Sequence, residues 1–191
     1  VRSIKDMGMT MGDMADMPRT TSAQAPPLNV ENQNVAAMPA NRLADPGDGL
    51  GNTGRRVLSY ADRRAARPGV DPRPPSRAIT LHLTGNMERY IWGFDGRKFS
   101  EAEPIPLRLG ERVRFVLIND TMMEHPIHLH GLWSELENGQ GAHNPFKHTI
   151  ISQPGSRLSY LVSADTPGLW ALHCHLLYHM DLGMFRTVVV S

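Results

Sequence analysis

From about position 78 the chain alternates. Ile79, Leu81 and Leu83 fall on one side of an extended segment and Thr80, His82 and Thr84 on the other, the period-two pattern of a half-buried strand. His82, on the polar side, is expected at the surface or at an interdomain contact. Val113, Phe115 and Leu117 repeat the pattern against Arg112, Arg114 and Val116, and the run stops at Asn119-Asp120. Residues 90–94 and 97–99 flank Asp95-Gly96, a dipeptide suited to a tight hairpin because Gly accepts positive φ. Further strands are expected at 149–152, 157–162, 169–175 and 185–190, punctuated by Pro154-Gly155 and Pro167-Gly168. Many short strands without a long amphipathic helix predict an all-β fold, an antiparallel Greek-key β-sandwich.

The first part of the chain behaves differently. Residues 1 to about 75 are rich in Pro, Gly, Asn, Met and Arg and hold neither the helical nor the strand period. Residues 1–54 therefore read as a Met-rich, Pro/Gly-rich arm or linker, expected to be flexible and largely irregular, and residues 55–191 as one domain. Within the transition, Val57-Leu58-Ser59-Tyr60 is expected to form one strand or turn packed on that domain. A length of 191 residues suits a single well-packed domain and is too short for two large ones.

Charge and hydropathy remove some function classes. The net charge is +1, and the arginines at 55, 56, 63, 64, 67 and 73 come without an aromatic or Gly-rich recognition motif, so no nucleic acid partner is expected. No apolar run approaches the ~20 residues needed to cross a bilayer, so no membrane insertion is expected. The first residues carry no apolar signal core. The chain begins at Val1 without an initiator Met, as a mature product or an excised piece would.

The chemistry gathers around a lone cysteine. Cys174 stands in His173-Cys174-His175-Leu176-Leu177-Tyr178-His179-Met180-Asp181-Leu182-Gly183-Met184, with an imidazole five residues on and a thioether ten residues on. Thiolate, imidazole and a weak axial thioether are the ligand types of a blue-copper centre, and His125 of His125-Pro126-Ile127-His128-Leu129-His130-Gly131 can supply the second imidazole. Taken alone, a buried Cys sharing a face with Trp170 and Leu172 would read as a small hydrophobe. The complete soft-ligand set makes copper the better reading. In an extended segment His173 and His175 share one face while Cys174 projects from the other, so one tripeptide can serve two metal sites. The same geometry sets His128 and His130 side by side, and Pro126 disfavours a helix through the preceding residues. Trp92, Trp133 and Trp170 read as core or interface aromatics, and His143 and His148 lie in a loop without ligand spacing.

These two motifs, with His179 and Met184, resemble the last cupredoxin domain of a multicopper oxidase, and the Met-rich arm with the stretch from Leu81 to Gly96 is most similar to the copper resistance protein A branch. The resemblance covers roughly residues 55–191. It implies a cupredoxin-like sandwich in which His125, Cys174 and His179 bind type 1 copper with Met184 as axial ligand. It further implies His128 as a ligand of type 2 copper and His130, His173 and His175 as ligands of the type 3 pair. Cys174, His173 and His175 would then carry the catalytic electron transfer. Copper is the implied cofactor, and Cu(I) or a small reducing substrate and dioxygen are the implied partners. The implied location is the periplasm.

The resemblance also exposes a deficit. In that family the trinuclear cluster takes two further His-x-His pairs from the first cupredoxin domain, and here only His82, His143 and His148 remain, none so spaced. The chain is thus expected to be a C-terminal fragment holding half of the cluster, inactive alone, with the missing N-terminal cupredoxin domains as partners. Tyr178 stands where some related oxidases carry a carboxylate, which leaves Glu124 or Asp181 for proton delivery. The alternative class is a non-enzymatic copper carrier or electron-transfer cupredoxin. In either class Met7, Met9, Met11, Met14 and Met17 offer soft thioethers for Cu(I) recruitment.

Overall fold

The computed structural model describes residues 25–47 and 49–191. Among the described residues eleven strands follow one another: β1 (Arg77–Asn86), β2 (Ile91–Phe94), β3 (Ile105–Leu107), β4 (Arg112–Asn119), β5 (His125–Leu129) and β6 (Ser134–Leu136). They continue with β7 (Phe146–Lys147), β8 (Thr149–Ser152), β9 (Arg157–Ser163), β10 (Gly168–Cys174) and, after the five-residue helix α1 (Leu177–Asp181), β11 (Phe185–Val190). They form a six-stranded sheet in the order β2-β1-β4-β9-β6-β7 and a five-stranded sheet in the order β3-β11-β10-β5-β8. The chain crosses from one sheet to the other at most connections, which gives the expected sandwich. Both sheets are mixed: β1 pairs with β4, and β11 with β3, in parallel, while the other pairs run antiparallel as expected.

The alternating apolar residues meet between the sheets. Leu83, Phe115, Leu117 and Tyr160 from one sheet and Ile127, Leu172 and Val188 from the other are buried in a single core. Phe115 and Tyr160, cross-strand partners on β4 and β9, stack with centroids 5.4 Å apart.

Three expectations need correction. The turn at Asp95-Gly96 forms, with φ of 55° and 71°, but its return strand stops after one bridge, Phe94 to Arg97, and the chain enters a 3-10 turn at Phe99–Glu101. The Arg186 guanidinium takes the carbonyls of Phe94 and Arg97, and Phe99 N donates to Gly183 O at 3.0 Å, so the return segment is diverted toward the loop before β11. Of the alternatives expected at residues 57–60, the turn forms rather than the strand: Arg63 N donates to Tyr60 O at 3.2 Å, and Tyr60 packs on the core, its hydroxyl accepting from Ile151 N at 2.8 Å.

His82 is buried rather than exposed, with Nδ1 2.7 Å from Asp120 Oδ2. The cause is residues 25–47, which lie across this side of the sandwich. Gln33 N donates to Gly85 O, Ala36 N to Asp120 Oδ1, and Ala40 N to Gly155 O. Leu43 reaches the core itself. This part of the expected arm is thus a strap fastened to the domain. Met7, Met9, Met11, Met14 and Met17 lie outside the described residues.

Candidate metal centre

β5 and β10 are neighbours in the five-stranded sheet, with Leu129 opposite Leu172, His128 opposite His173 and Ile127 opposite Cys174. Directly opposed residues share a face. Cys174 therefore points with Ile127 and His125 into the core, and His173 with His128 and His130 out of it. His125 and Cys174 are both fully buried. The turn after β10 runs into α1, whose His179 folds back to the same inner pocket.

At the inner site, Cys174 Sγ lies 3.7 Å from His125 Nδ1 and 3.8 Å from His179 Nδ1, and the two nitrogens are 3.2 Å apart. A triangle with such edges has its centre about 2 Å from each corner, the distance at which a first-row metal ion binds nitrogen and sulfur. The donors fit copper chemically as well as geometrically, since a thiolate with two imidazoles is the trigonal set of a blue-copper centre. Met184 is fully buried beside them: its N donates to His179 O at 2.9 Å and its carbonyl accepts from Cys174 N at 3.1 Å. That pair of bonds ties the axial candidate to two of the other ligands. Gly183, at φ 124°, makes this possible, because a Cβ there would come within 2.5 Å of Trp92 O and of Lys98 Cβ.

Burial sets the protonation of Cys174 and His179. It pushes the Cys174 thiol up to about 11 and holds His179 down to about 4. At neutral pH the metal-free pocket thus holds a thiol and a neutral His179 imidazole, and a cation must displace the thiol proton.

At the outer site the rings of His128, His130, His173 and His175 converge. Centroids are 4.4 Å apart for His128 and His130, 5.5 Å for His128 and His173, 5.7 Å for His128 and His175, and 5.8 Å for His173 and His175. His130 Nε2 and His173 Nε2 are 3.0 Å apart. Two backbone carbonyls orient the rings: His128 Nδ1 lies 2.6 Å from His148 O, and His173 Nδ1 lies 3.0 Å from Cys174 O. Donation from each Nδ1–H leaves Nε2 as the metal-facing atom. Desolvation, and after it the neighbouring imidazoles, lower the pKa of His130; desolvation likewise lowers that of His173. His130 and His173 are thereby held toward the neutral form that binds a metal.

Both predicted ligand groups are therefore brought together, and residues that sequence reasoning left in the core or in loops join them. Trp92, fully buried on β2, stacks on His179 with centroids 3.9 Å apart and meets His125 edge-on at 5.3 Å. Thr121 Oγ1 lies 2.7 Å from His125 Nε2. His148 faces the outer cluster, its ring 5.3 Å from that of His128. No spacing rule links these residues to the motifs, because the other sheet or a long loop delivers them.

A mixed two-sheet sandwich with a buried cysteine and two imidazoles in one pocket defines a copper protein of the cupredoxin class. The sequence pattern of the multicopper oxidases matches residues 72–191, and the chain belongs to that family, with copper as its cofactor. It is 58% identical over 156 residues to copper resistance protein A of Pseudomonas syringae pv. tomato, covering 82% of this chain and 26% of that protein. It is 52% identical over 179 residues to copper resistance protein A of Escherichia coli, covering 93% of this chain and 30% of that protein. The chain thus spans about a quarter to a third of the length of these relatives. The fold is similar to the crystal structure of the blue copper oxidase from Nitrosomonas europaea, with a TM-score of 0.56 and 23% identity, over 63% of this chain and 47% of that one.

Proposed function

We propose that this chain is the C-terminal cupredoxin domain of a copper-resistance multicopper oxidase, in which one strand end joins an electron-accepting site to an oxygen-reducing one. Copper supplies one-electron chemistry: taken singly from a reductant, Cu(I) in this reading, electrons are collected until dioxygen is reduced to water. His125, Cys174 and His179 would hold the accepting metal, with the thioether of Met184 as a weak further ligand. His128 serves the type 2 position, and His130, His173 and His175 serve the type 3 pair. The peptide linkages from Cys174 to His173 and His175 are the shortest covalent connection between the two sites.

The observation that carries this reading is the back-to-back placement of Cys174 and His173, with a three-donor pocket on one face and, on the other, three imidazoles within ligand distance of one another and His175 beside them. A simple carrier needs the first and has no use for the second. The four imidazoles are half of the set a trinuclear cluster requires, so the remaining His-x-His pairs come from other cupredoxin domains of a longer protein. Working in the periplasm, such an oxidase would meet copper before it enters the cell, and Met7, Met9, Met11, Met14 and Met17 would gather Cu(I) for it as soft thioether ligands.

Copper content and oxygen uptake test the proposal on the full-length protein. Four coppers per chain and Cu(I)-dependent oxygen consumption are expected; one strongly held copper and no oxygen consumption would leave the carrier reading in place. Replacing the five arm methionines by Leu is expected to weaken Cu(I) and Ag(I) binding, and unchanged affinity would remove the arm from the account.

A further inference from the structure

We infer that Thr121 and Asn119 are positioning residues that fix the tautomer of His125 before any metal arrives. The inference rests on the proposed type 1 site and concerns how the protein prepares it.

Asn119, at the end of β4, is fully buried, and its side-chain hydrogen-bonding capacity is in use. Its Nδ2 donates to Met123 O at 2.7 Å and to Ser152 O at 3.0 Å. Its Oδ1 accepts from Thr121 N at 2.9 Å. These three backbone partners permit one orientation of the amide, because a flip would aim NH2 at a backbone N–H and the oxygen at two carbonyls. Asn119 Oδ1 is therefore an acceptor, and the Thr121 hydroxyl lies 2.9 Å from it.

The single hydroxyl proton of Thr121 is thereby committed. Its oxygen groups nearby are Asn119 Oδ1 and Met123 O, both acceptors, and Thr121 Oγ1 itself accepts from Met123 N at 3.2 Å. Toward His125 Nε2, at 2.7 Å, Oγ1 can only accept. The proton on His125 then resides on Nε2, and Nδ1, which faces Cys174 Sγ and His179 Nδ1, presents its lone pair to the metal position. With the opposite tautomer an N–H would point into the ligand triangle, and His125 Nε2 and Asn119 Oδ1 would compete for the single Thr121 hydroxyl proton.

The arrangement has a purpose that geometry alone supplies. His125 sits at the start of β5, where backbone pairing fixes its Cα but leaves its ring free to turn about χ2. The hydroxyl arrests that rotation from the loop between β4 and β5. Hydrogen bonds of this kind behind a metal-binding imidazole typically change affinity by about 10–100-fold when removed.

The test uses the 191-residue chain with Thr121→Val, which keeps the side-chain shape, and Thr121→Ser, which keeps the hydroxyl. Nitrogen-15 NMR of the metal-free wild type is expected to show His125 protonated at Nε2, and Thr121→Val to show both tautomers, with Thr121→Ser restoring the first. In Cu(II) titrations followed by thiolate-to-copper absorption, Thr121→Val is expected to bind about 10–100-fold more weakly and Thr121→Ser close to wild type. Urea unfolding of the metal-free variants establishes that each is folded. A folded Thr121→Val with wild-type affinity, or a wild-type His125 protonated at Nδ1, would overturn the inference. Normal tautomer behaviour in a protein that develops no thiolate-to-copper band would instead remove the type 1 assignment beneath it.

Discussion

Cys174 and His173 are consecutive residues of β10 whose side chains enter two different sites: the sulfur meets His125 and His179 inside the sandwich, and the neighbouring ring lies 3.0 Å, nitrogen to nitrogen, from His130 outside it. Strand pleating alone produces this division, since adjacent side chains leave opposite faces. The two sites are separate in space and joined through one peptide bond.

That separation makes substitutions on the two faces distinguishable. Cys174→Ser is expected to abolish the Cu(II)-thiolate absorption while costing about 1–3 kcal/mol of metal-free stability, as a hydroxyl replaces a thiol in a fully buried pocket. His128→Ala is expected to leave the colour intact, because His128 projects to the other face. Visible spectra of the two copper-titrated variants check both outcomes.

Metal-free stability should depend on pH in two windows. The His179 pKa is held near 4, below its ordinary 6.5, so between these values the unfolded chain binds the extra proton; stability present above pH 6.5 is lost as pH falls toward 4. The Cys174 thiol, raised from 9.0 to about 11, acts at the other end: stability is lost as pH rises from 9 toward 11. Urea midpoints across pH 4 to 11 check the signs. In the range between, each copper taken up at Cys174 should release one thiol proton, so apparent affinity rises about tenfold per pH unit.

Trp92 is the largest fully buried side chain and covers both imidazoles of the inner pocket. Trp92→Ala should cost about 3–5 kcal/mol in urea unfolding. The copper-loaded variant should also show an altered thiolate-to-copper band, because His179 loses the ring it stacks on.

Gly183 links a loop geometry to the metal pocket. Gly183→Ala places a side chain at φ 124°, at an expected backbone cost of about 1–3 kcal/mol, and pushes a Cβ against Trp92 O and Lys98. Relief requires the segment between His179 and Met184 to move, so weakened copper binding should accompany lower stability.

The candidate ligands are legible in the sequence because they sit on strands whose alternation is read directly: His125, His128 and His130 on or beside one, His173, Cys174 and His175 on or beside another. Their supports were not legible. Trp92 comes from the opposite sheet and Thr121 from an interstrand loop, and which side chain meets which ring depends on how the sheets pack. His82 shares the parity of Thr80 and Thr84, which points to the surface or an interdomain contact, yet the strap through Ala36 covers that side. A strap without periodicity gives no sign in sequence of what it will bury.

The most direct measurement is copper anomalous diffraction from crystals of this chain grown with copper. The account predicts a peak bounded by Cys174 Sγ, His125 Nδ1 and His179 Nδ1, about 2 Å from each. Copper bound elsewhere, with none within bonding distance of the Cys174 sulfur, would contradict it.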